Sequence, residues 1–453
     1  MTKMMQRLIK HVTHPLWMAR DGNRAMLRHI RHYRRGEWCA TVEALEASQR
    51  RNLGRILVHA GEQTAYYRDL FRRSGFAPSA DGDREGFGEL PLLTKEIVRD
   101  NREGMLARNV PREELLQTST GGSTGTPMVF YRDRECIRRR KGQELFFDRW
   151  MDCDIGDKVA LFVARVHCPP GMSGWKARLR NATSERLLAF DPYDTSREAL
   201  ERFYREYRAF RPKIIKCFPN SLVVFARFLR ERGYHPGRPA AVSCTGENLY
   251  AHQKRLFEDV FHCPVFEKYG TFEHGVIASE CREHRGMHLF TDGALVEILR
   301  DGRPAAPGEL GDIVVTDLFN FGMPFIRYRI GDRGIFSSRS CPCGSPLPLL
   351  EELAGRDRDL LVAANGDLKP GYLFVEVFNK NNLPGTFQVI QNCRERVEVK
   401  VVPDEGFGEE HEQQIRRHFA GLLGEGVAVE IIRVAEIPRE ASGKYAYVKG
   451  ECA

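Results

Sequence analysis

Thr118-Ser-Thr-Gly-Gly-Ser-Thr-Gly-Thr-Pro127 is the stretch on which the reading of this chain turns. It holds four threonines, two serines, three glycines and one proline, and none of these can fill a hydrophobic core. Glycines let the backbone approach an anion closely, a nest of N–H groups can cradle oxygens, and hydroxyls add donors. The stretch reads as a phosphate-binding loop. A Gly/Ser linker is the ordinary alternative, but the loop is compact and Met128-Val-Phe-Tyr131 follows at once as a short strand. It is not a Walker loop, because Gly125 is followed by Thr126 and Pro127 instead of Lys and Ser/Thr. Any cation for the phosphates must come from elsewhere.

At 453 residues the chain exceeds what one core usually organises, so two or more domains are expected. Hydrophobic residues make up 42% and charged residues 29%, ordinary for a globular protein. No window approaches the roughly 18 apolar residues of a membrane span, so no integral membrane segment is expected. The opening Met1-Thr-Lys-Met-Met-Gln-Arg7 lacks the apolar region of a signal peptide. A cytoplasmic protein is expected, its twelve cysteines mostly reduced, with metal ligands among them an option. The net charge of +8 is concentrated in Arg20–Arg35 and in Arg138-Arg-Arg-Lys141. Such a surface suits anionic partners, although solvated helix faces explain it as well. No nucleic-acid-binding signature is present, so no nucleic-acid partner is expected. The segment Leu8–Tyr33 could lie on a membrane surface, but its polar residues are scattered and its apolar face is weak.

Taken in order, residues 1 to about 110 read as mainly helical. Apolar spacing marks Thr41–Ser48, Arg50–Val58 and Ala65–Phe71, and Thr94 is a candidate N-cap. Beyond the loop, β-rich runs alternate with helices. Lys158–Ala164, Lys213–Phe218 and Ala240–Glu247 read as strands, and Ser196–Phe210, Asn220–Arg232 and His252–Phe261 as helices. This alternation predicts an α/β fold with a largely parallel sheet. Ligands of such sheets collect at the carboxyl ends of the strands, where Gly246, Glu247, Tyr269 and Gly270 fall. From about 286 to 350, short strands predict an antiparallel β subdomain. From about 360, strand Val397–Val402, helix Glu409–Leu423 and strand Val427–Val434 predict a small α+β unit.

Several motifs then join the loop in a fixed order. Tyr269-Gly-Thr-Phe-Glu273 resembles the Tyr-Gly-x-Thr-Glu box of the adenylate-forming (acyl-CoA synthetase) superfamily. Phe325-Ile-Arg-Tyr-Arg-Ile-Gly-Asp332 resembles its Tyr-Arg-Thr-Gly-Asp box. Gly355-Arg-Asp-Arg-Asp359 is similar to its hinge motif, and Pro438-Arg-Glu-Ala-Ser-Gly-Lys444 to its C-terminal lysine motif. Tyr66-Tyr67-Arg68, Leu90-Pro-Leu-Leu-Thr-Lys95 and Met323-Pro324-Phe325 look most like the phenylacetate–CoA ligase branch and its capsule-biosynthesis, CapK-like relatives.

The resemblance implies a large N-terminal domain over 1–354, a hinge at 355–359 and a mobile lid over 360–453. It implies that a carboxylic acid, aromatic or compact, attacks the α-phosphorus of ATP and passes as its acyl group to coenzyme A. Ser119, Thr120, Gly121, Gly122, Ser123, Thr124, Gly125 and Thr126 would hold the phosphates. Glu273 would bind Mg²⁺, a hard cation suited to one or two carboxylates plus phosphate oxygens. Gly246, Glu247, Tyr269, Gly270 and Thr271 would line the nucleotide, Asp332 would accept from the ribose hydroxyls, and Arg356 would help fix it. Lys444 would neutralise charge building at the α-phosphate, and the lid would turn about Arg358.

The chain departs from the pattern at Phe272, where the family carries Thr before the Glu, at Ile330, and at Arg358. A runner-up reading passes the acyl group to an amine or hydroxyl in polysaccharide or metabolite assembly. A third, resting on Phe272 and Ile330, is a nucleotide-binding protein that has lost turnover. Separately, Cys281, His288, Cys341 and Cys343 form a set able to hold structural Zn²⁺ in a closed tetrahedral site, with His284 a competing ligand and buried free thiols the alternative. The gap of one residue between Cys341 and Cys343 is tight for such a site. Oligomeric state is not legible, a homodimer being one option.

Overall fold

The computed structural model describes residues 2–119, 128–163, 174–190, 194, 196–356, 360–366, 368–381, 383–438 and 446–450. Its frame is a mixed sheet of twelve strands. Short apolar runs build one half. Val159–Phe162, Ile214–Cys217, Ala241–Thr245 and Val265–Thr271 pair in parallel, with Leu187–Ala189 on the far side of Val159–Phe162. Strands covered on both faces read as near-continuous apolar runs, and these do. Helices Arg197–Phe210, Pro219–Glu231 and Ala251–Phe261 form the crossovers and bury Phe203, Phe225 and Phe257 against them.

At Val265–Thr271 the sheet changes character. This strand is parallel to Ala241–Thr245 on one side and antiparallel to Gly275–Glu280 on the other. Antiparallel pairing then continues through Met287–Leu289, Leu349–Arg356, Tyr328–Phe336, Leu310–Asp317, Ala294–Arg300 and Arg303–Pro304. The β subdomain expected over about 286–350 is therefore a continuation of the parallel sheet. The change in residue texture is visible in the sequence. The hydrogen bonds of the 265–280 hairpin, which stitch the two halves together, are not.

Helices pack the N-terminal part onto this sheet. Val42–Gln63, Ala65–Ser74 and Lys95–Asp100 each begin after a threonine. The hydroxyls of Thr41, Thr64 and Thr94 accept from the N–H groups of Ala44, Tyr67 and Ile97 at 3.2, 3.2 and 3.4 Å, satisfying donors that a helix start leaves open. The deepest tie is Asp292, which is buried. Tyr33 donates to its Oδ2 at 2.8 Å, Asn52 to its Oδ1 at 2.9 Å, and Ser48 also donates to Oδ1.

The Arg138–Lys141 cluster is not a free basic patch. Arg140 is buried in an ion pair with Asp317. Arg139 lies over the Phe319 ring, Arg138 donates to Gly22 O at 3.0 Å, and Lys141 donates to Glu144 at 2.8 Å. One cation of the four is thus buried, and the other three are engaged by neighbours nearer the surface.

Beyond Leu361 a separate core forms around Phe374, Phe378, Phe387, Val399 and Phe419. It sits between helices Tyr372–Lys380 and Glu409–Leu423 and a sheet ordered Ala428–Arg433, Arg396–Val402, Thr386–Cys393, Val448–Gly450. Tyr447 places its ring 5.3 Å from Tyr250 of the large sheet's own layer. No helix among the described residues is long and apolar enough to cross a membrane.

Two predictions follow from this packing. Replacing Asp292 by Ala strands three buried donors, and the fold should lose about 3 kcal/mol, read from chemical denaturation. Burial, helped by nearby cations, pushes both His14 and His252 down to about 4. A histidine charges more readily in the unfolded chain, so stability is full above the free imidazole value near 6.5 and falls as pH drops towards 4. The Tm should decline across that window, and the paired variant His14→Asn/His252→Asn should lessen the decline, the buried His274 keeping its own share of it.

Candidate active site

The turn of the 265–280 hairpin carries Tyr269, Gly270, Thr271 and Glu273 at the point where the sheet switches from parallel to antiparallel pairing. Gly270 is needed there, since a Cβ would come 2.4 Å from Gly275 O. Strand Tyr328–Phe336 brings the second box alongside. The two boxes are tied reciprocally. Tyr269 Oη donates to Asp332 Oδ2 at 2.8 Å, and Tyr328 Oη donates to Glu273 Oε1 at 3.3 Å. The tyrosine of each box therefore holds the acid of the other. Both acids are buried, Glu273 at 6% and Asp332 at 6% exposure. Burial and the facing Glu273 carboxylate push the Tyr328 phenol well above its ordinary range, so it stays a donor.

Buried polar groups that sequence reasoning did not single out surround Glu273. His274 lies against the Tyr328 and Phe325 rings, and burial pushes its imidazole down to about 3 against the pull of Glu273. It is neutral at ordinary pH, and its Nε2 has no hydrogen-bond partner. The Thr271 hydroxyl accepts from His274 N at 3.1 Å and meets His274 Nδ1 at 3.1 Å. It is engaged in this local turn, so it does not replace the hydroxyl missing at Phe272. Phe272 and Ile330 both pack against the large central core, which gives these two departures a packing reason.

Ser119 ends the strand Leu115–Ser119, whose register partner is Val129 on Val129–Asp133. Residues 120–127 of the expected phosphate loop lie outside the described residues, and Ser119 is exposed at the loop's edge. Arg132, on the returning strand, donates from Nη2 to Thr118 Oγ1 at 3.0 Å, and its Nε has no partner. It is a cation on the strand that follows the loop in the chain. Its position, two residues past Val129-Phe130, gave no sequence signal beyond the expectation that a cation was needed.

Gly246 and Glu247 follow strand Ala241–Thr245. A Cβ on Gly246, at φ +77°, would come 2.5 Å from the Phe218 ring. Glu247 accepts from Asn220 N at 3.1 Å, at the start of helix Pro219–Glu231. The backbone of Arg356 is the register partner of Asp332. Arg358 and Lys444 lie outside the described residues.

Supports for the site come from motifs that sequence comparison alone could only label. Leu93 N donates to Arg327 O, and Arg329 N to Leu93 O, both at 2.9 Å. Tyr67 Oη donates to Pro324 O and accepts from Ile326 N, both at 3.1 Å. Arg327, held at φ +49°, donates to the carbonyls of Gly88 and Leu90 and to Glu297. It is a clamp, not a member of the chemical set.

At the other end of the same strands, Cys281, His288, Cys341 and Cys343 bring their ligand atoms within 4.8 Å of one another. Cys281 Sγ and Cys341 Sγ are 3.6 Å apart, and Cys343 Sγ is 3.4 Å from His288 Nε2. Two ligands of one tetrahedral Zn²⁺ lie about 3.5–3.8 Å apart by its usual bond lengths, and these distances match. His288 Nδ1 donates to Leu347 O at 3.2 Å, which leaves Nε2 as the ligand atom. The N–H groups of Glu283 and Ser345 point at Cys281 Sγ and Cys343 Sγ at 3.4 and 3.5 Å. His284 is not in this set, since its ring meets Glu280 and Lys254.

Comparison with known proteins agrees with this geometry. Residues 366–451 match the CapK C-terminal domain family. The chain is 25% identical over 399 residues to the phenylacetate-coenzyme A ligase of Thermus thermophilus, covering 82% of this chain and 84% of that protein. It is 22% identical over 303 residues to protein CapK of Staphylococcus aureus, covering 64% of each. Its fold matches 2-hydroxyisobutyryl-CoA ligase in its post-adenylation state at a TM-score of 0.72, 19% identity and 88% coverage of each chain. With the boxes in their family order and tied to one another in space, the chain resembles the adenylate-forming enzymes in sequence and fold, in particular the phenylacetate–CoA ligases and CapK.

Proposed function

We propose that this protein is an AMP-forming acid–thiol ligase that uses ATP and Mg²⁺. The observation that carries the reading is the reciprocal pairing of Tyr269 with Asp332 and of Tyr328 with Glu273 at the carboxyl end of the parallel strands. A carboxylate oxygen of the acid attacks the α-phosphorus, the bond to the β-phosphate breaks and pyrophosphate leaves. The coenzyme A thiol, losing its proton to solvent, then takes the acyl group, and AMP leaves.

The chain's own groups divide this work. Ser119 and the hydroxyls and amides of 120–126 hold the phosphates, and Arg132 supplies the cation that the loop itself lacks. Glu273 would hold Mg²⁺, which would supply charge neutralisation at the phosphates. Buried and fixed by Tyr328, Glu273 is already set for a hard cation and undergoes little reorganisation. Asp332, fixed by Tyr269, accepts from the ribose, with Arg356 beside it in register. Residues 360–453 act as the lid, turning at 355–359 about Arg358. Lys444 stands three residues before Tyr447, whose contact with Tyr250 supports its delivery to this edge of the sheet. The acid is compact or aromatic. Val163 and Phe218 pack together just past the ends of their strands, and the reading sets the acid against them and against Phe272 and Tyr269.

The test is ATP–pyrophosphate exchange across aromatic, short aliphatic and amino acids, followed by coenzyme A and amines as acceptors. Exchange with one acid, reduced at least ~100-fold in Glu273→Gln and in Lys444→Ala, is expected. Binding of ATP without exchange for any acid would remove the reading. Coenzyme A, not an amine, should complete the turnover.

The cysteine–histidine set would hold Zn²⁺ as a closed structural site with no open position for chemistry. Metal analysis should find about one zinc per chain, lost in Cys281→Ser/Cys341→Ser, and chelation should lower the Tm.

A further inference from the structure

Of the nine large apolar side chains that stand exposed among the described residues, seven lie on two adjoining segments. Met4, Met5, Leu8, Val12 and Leu16 belong to the helical rod formed by Thr2–Leu8, Ile9–Thr13 and His14–Arg20. Trp175 and Leu179 belong to Trp175–Arg180. The exposures are not marginal, at 79% for Met4, 64% for Leu16 and 71% for Trp175. Spacing of four from Met4 to Leu8, Val12 and Leu16, and from Trp175 to Leu179, puts each set along one stripe.

The rod is held the other way round. Ile9 and Met18 are buried, Gln6 donates to Asp157, and Lys10 pairs with Asp154. The two segments are joined side by side. Trp17 Nε1 donates to Thr183 Oγ1 at 2.9 Å, His14 Nδ1 meets Ser184 Oγ at 2.9 Å, and Arg180 pairs with Asp21 at 2.7 Å. The apolar stripes are therefore left outward by a well-anchored pair of helices, not by a frayed end.

Charge decides what this face fits. Residues 4–20 and 174–184 contain no Asp or Glu. Arg7, Arg20, Lys176 and Arg178 are all exposed, and Arg20 and Lys176 lie over the rings of Trp17 and Trp175. The adjoining carboxylates Asp21 and Glu185 are taken up by Arg180, and apolar residues with Trp on one side and exposed cations beside them are the composition of a helix lying in a lipid headgroup layer. A two-fold dimer through this face would bring the same cations against each other.

We propose that this face docks the protein on an anionic membrane surface. Leu8, Val12, Leu16, Trp175 and Leu179 enter the acyl boundary, and the four cations lie at the lipid phosphates. Each such cation is worth roughly a fivefold gain in association at an anionic surface, so binding should fall steeply with salt.

The test is co-sedimentation of the full chain with vesicles of phosphatidylcholine plus phosphatidylglycerol, against phosphatidylcholine alone. Association with the anionic vesicles only, weakened by salt and reduced at least about tenfold in Leu8→Ser/Leu16→Ser/Trp175→Ser, is the expected result. These positions are exposed, so the variant's Tm should match the parent, and Arg7→Gln/Lys176→Gln gives a second, purely electrostatic reading. Equal binding to both vesicle types, no binding, or binding unchanged in the variants would overturn the proposal. So would a lipid-free dimer, seen by light scattering, that the same substitutions dissolve.

Discussion

Two crossed hydrogen bonds set the centre of this molecule. Tyr269 holds Asp332 and Tyr328 holds Glu273, so two segments about 60 residues apart in the chain fix each other's acids. A buried carboxylate without a donor is costly, and a buried phenol without an acceptor nearly as much. Each box therefore depends on the other being in place. The consequence for chemistry is preorganisation: both acids are held before any ligand arrives, in surroundings dry enough to strengthen their electrostatics.

The rest of the fold keeps those two segments in register. Strand Tyr328–Phe336 is gripped from behind by Leu93 and by the Arg327 clamp, which reaches the carbonyls of Gly88 and Leu90. The hairpin 265–280 is held in front by the parallel strand Ala241–Thr245. Asp133 joins the loop-bearing strand to the same structure, accepting from the N–H groups of Phe321 and Gly322 at 2.8 and 2.9 Å. At the opposite end, the four-residue cysteine–histidine cluster links the continuations of these strands. The site is thus suspended between two sets of ties, and Tyr269, Glu273, Tyr328 and Asp332 lie on strands and a tight turn.

Several features of this arrangement were legible in the residues themselves. The alternation of β-rich runs with amphipathic segments gave the parallel half, because the period of a helix and that of a buried strand differ in any context. Thr94 marked a helix start, since a hydroxyl that can accept from the backbone acts locally, and Thr41 and Ser196 cap their helices in the same way. The boxes around Glu273 and Asp332 were visible, as was the set of Cys281, His288, Cys341 and Cys343, whose side chains the structure brings together. Arg132 and His274 were not, because a lone arginine on a strand and a lone histidine after a glutamate carry no pattern. The basic run Arg138–Lys141 suggested a surface, and the structure instead uses Arg140 in a buried ion pair with Asp317.

The sequence by itself named the candidate residues for chemistry and the helices and strands of the parallel half, since hydroxyls, glycines, carboxylates and apolar periodicity act over a few neighbours. Only the tertiary structure decided that the parallel and antiparallel halves are one sheet, that each tyrosine serves the other box's acid, and that the stripe from Met4 to Leu16 faces outward beside Trp175. Those facts depend on hydrogen bonds and contacts between residues far apart in the chain. Residue identity permits many such pairings, and packing selects one.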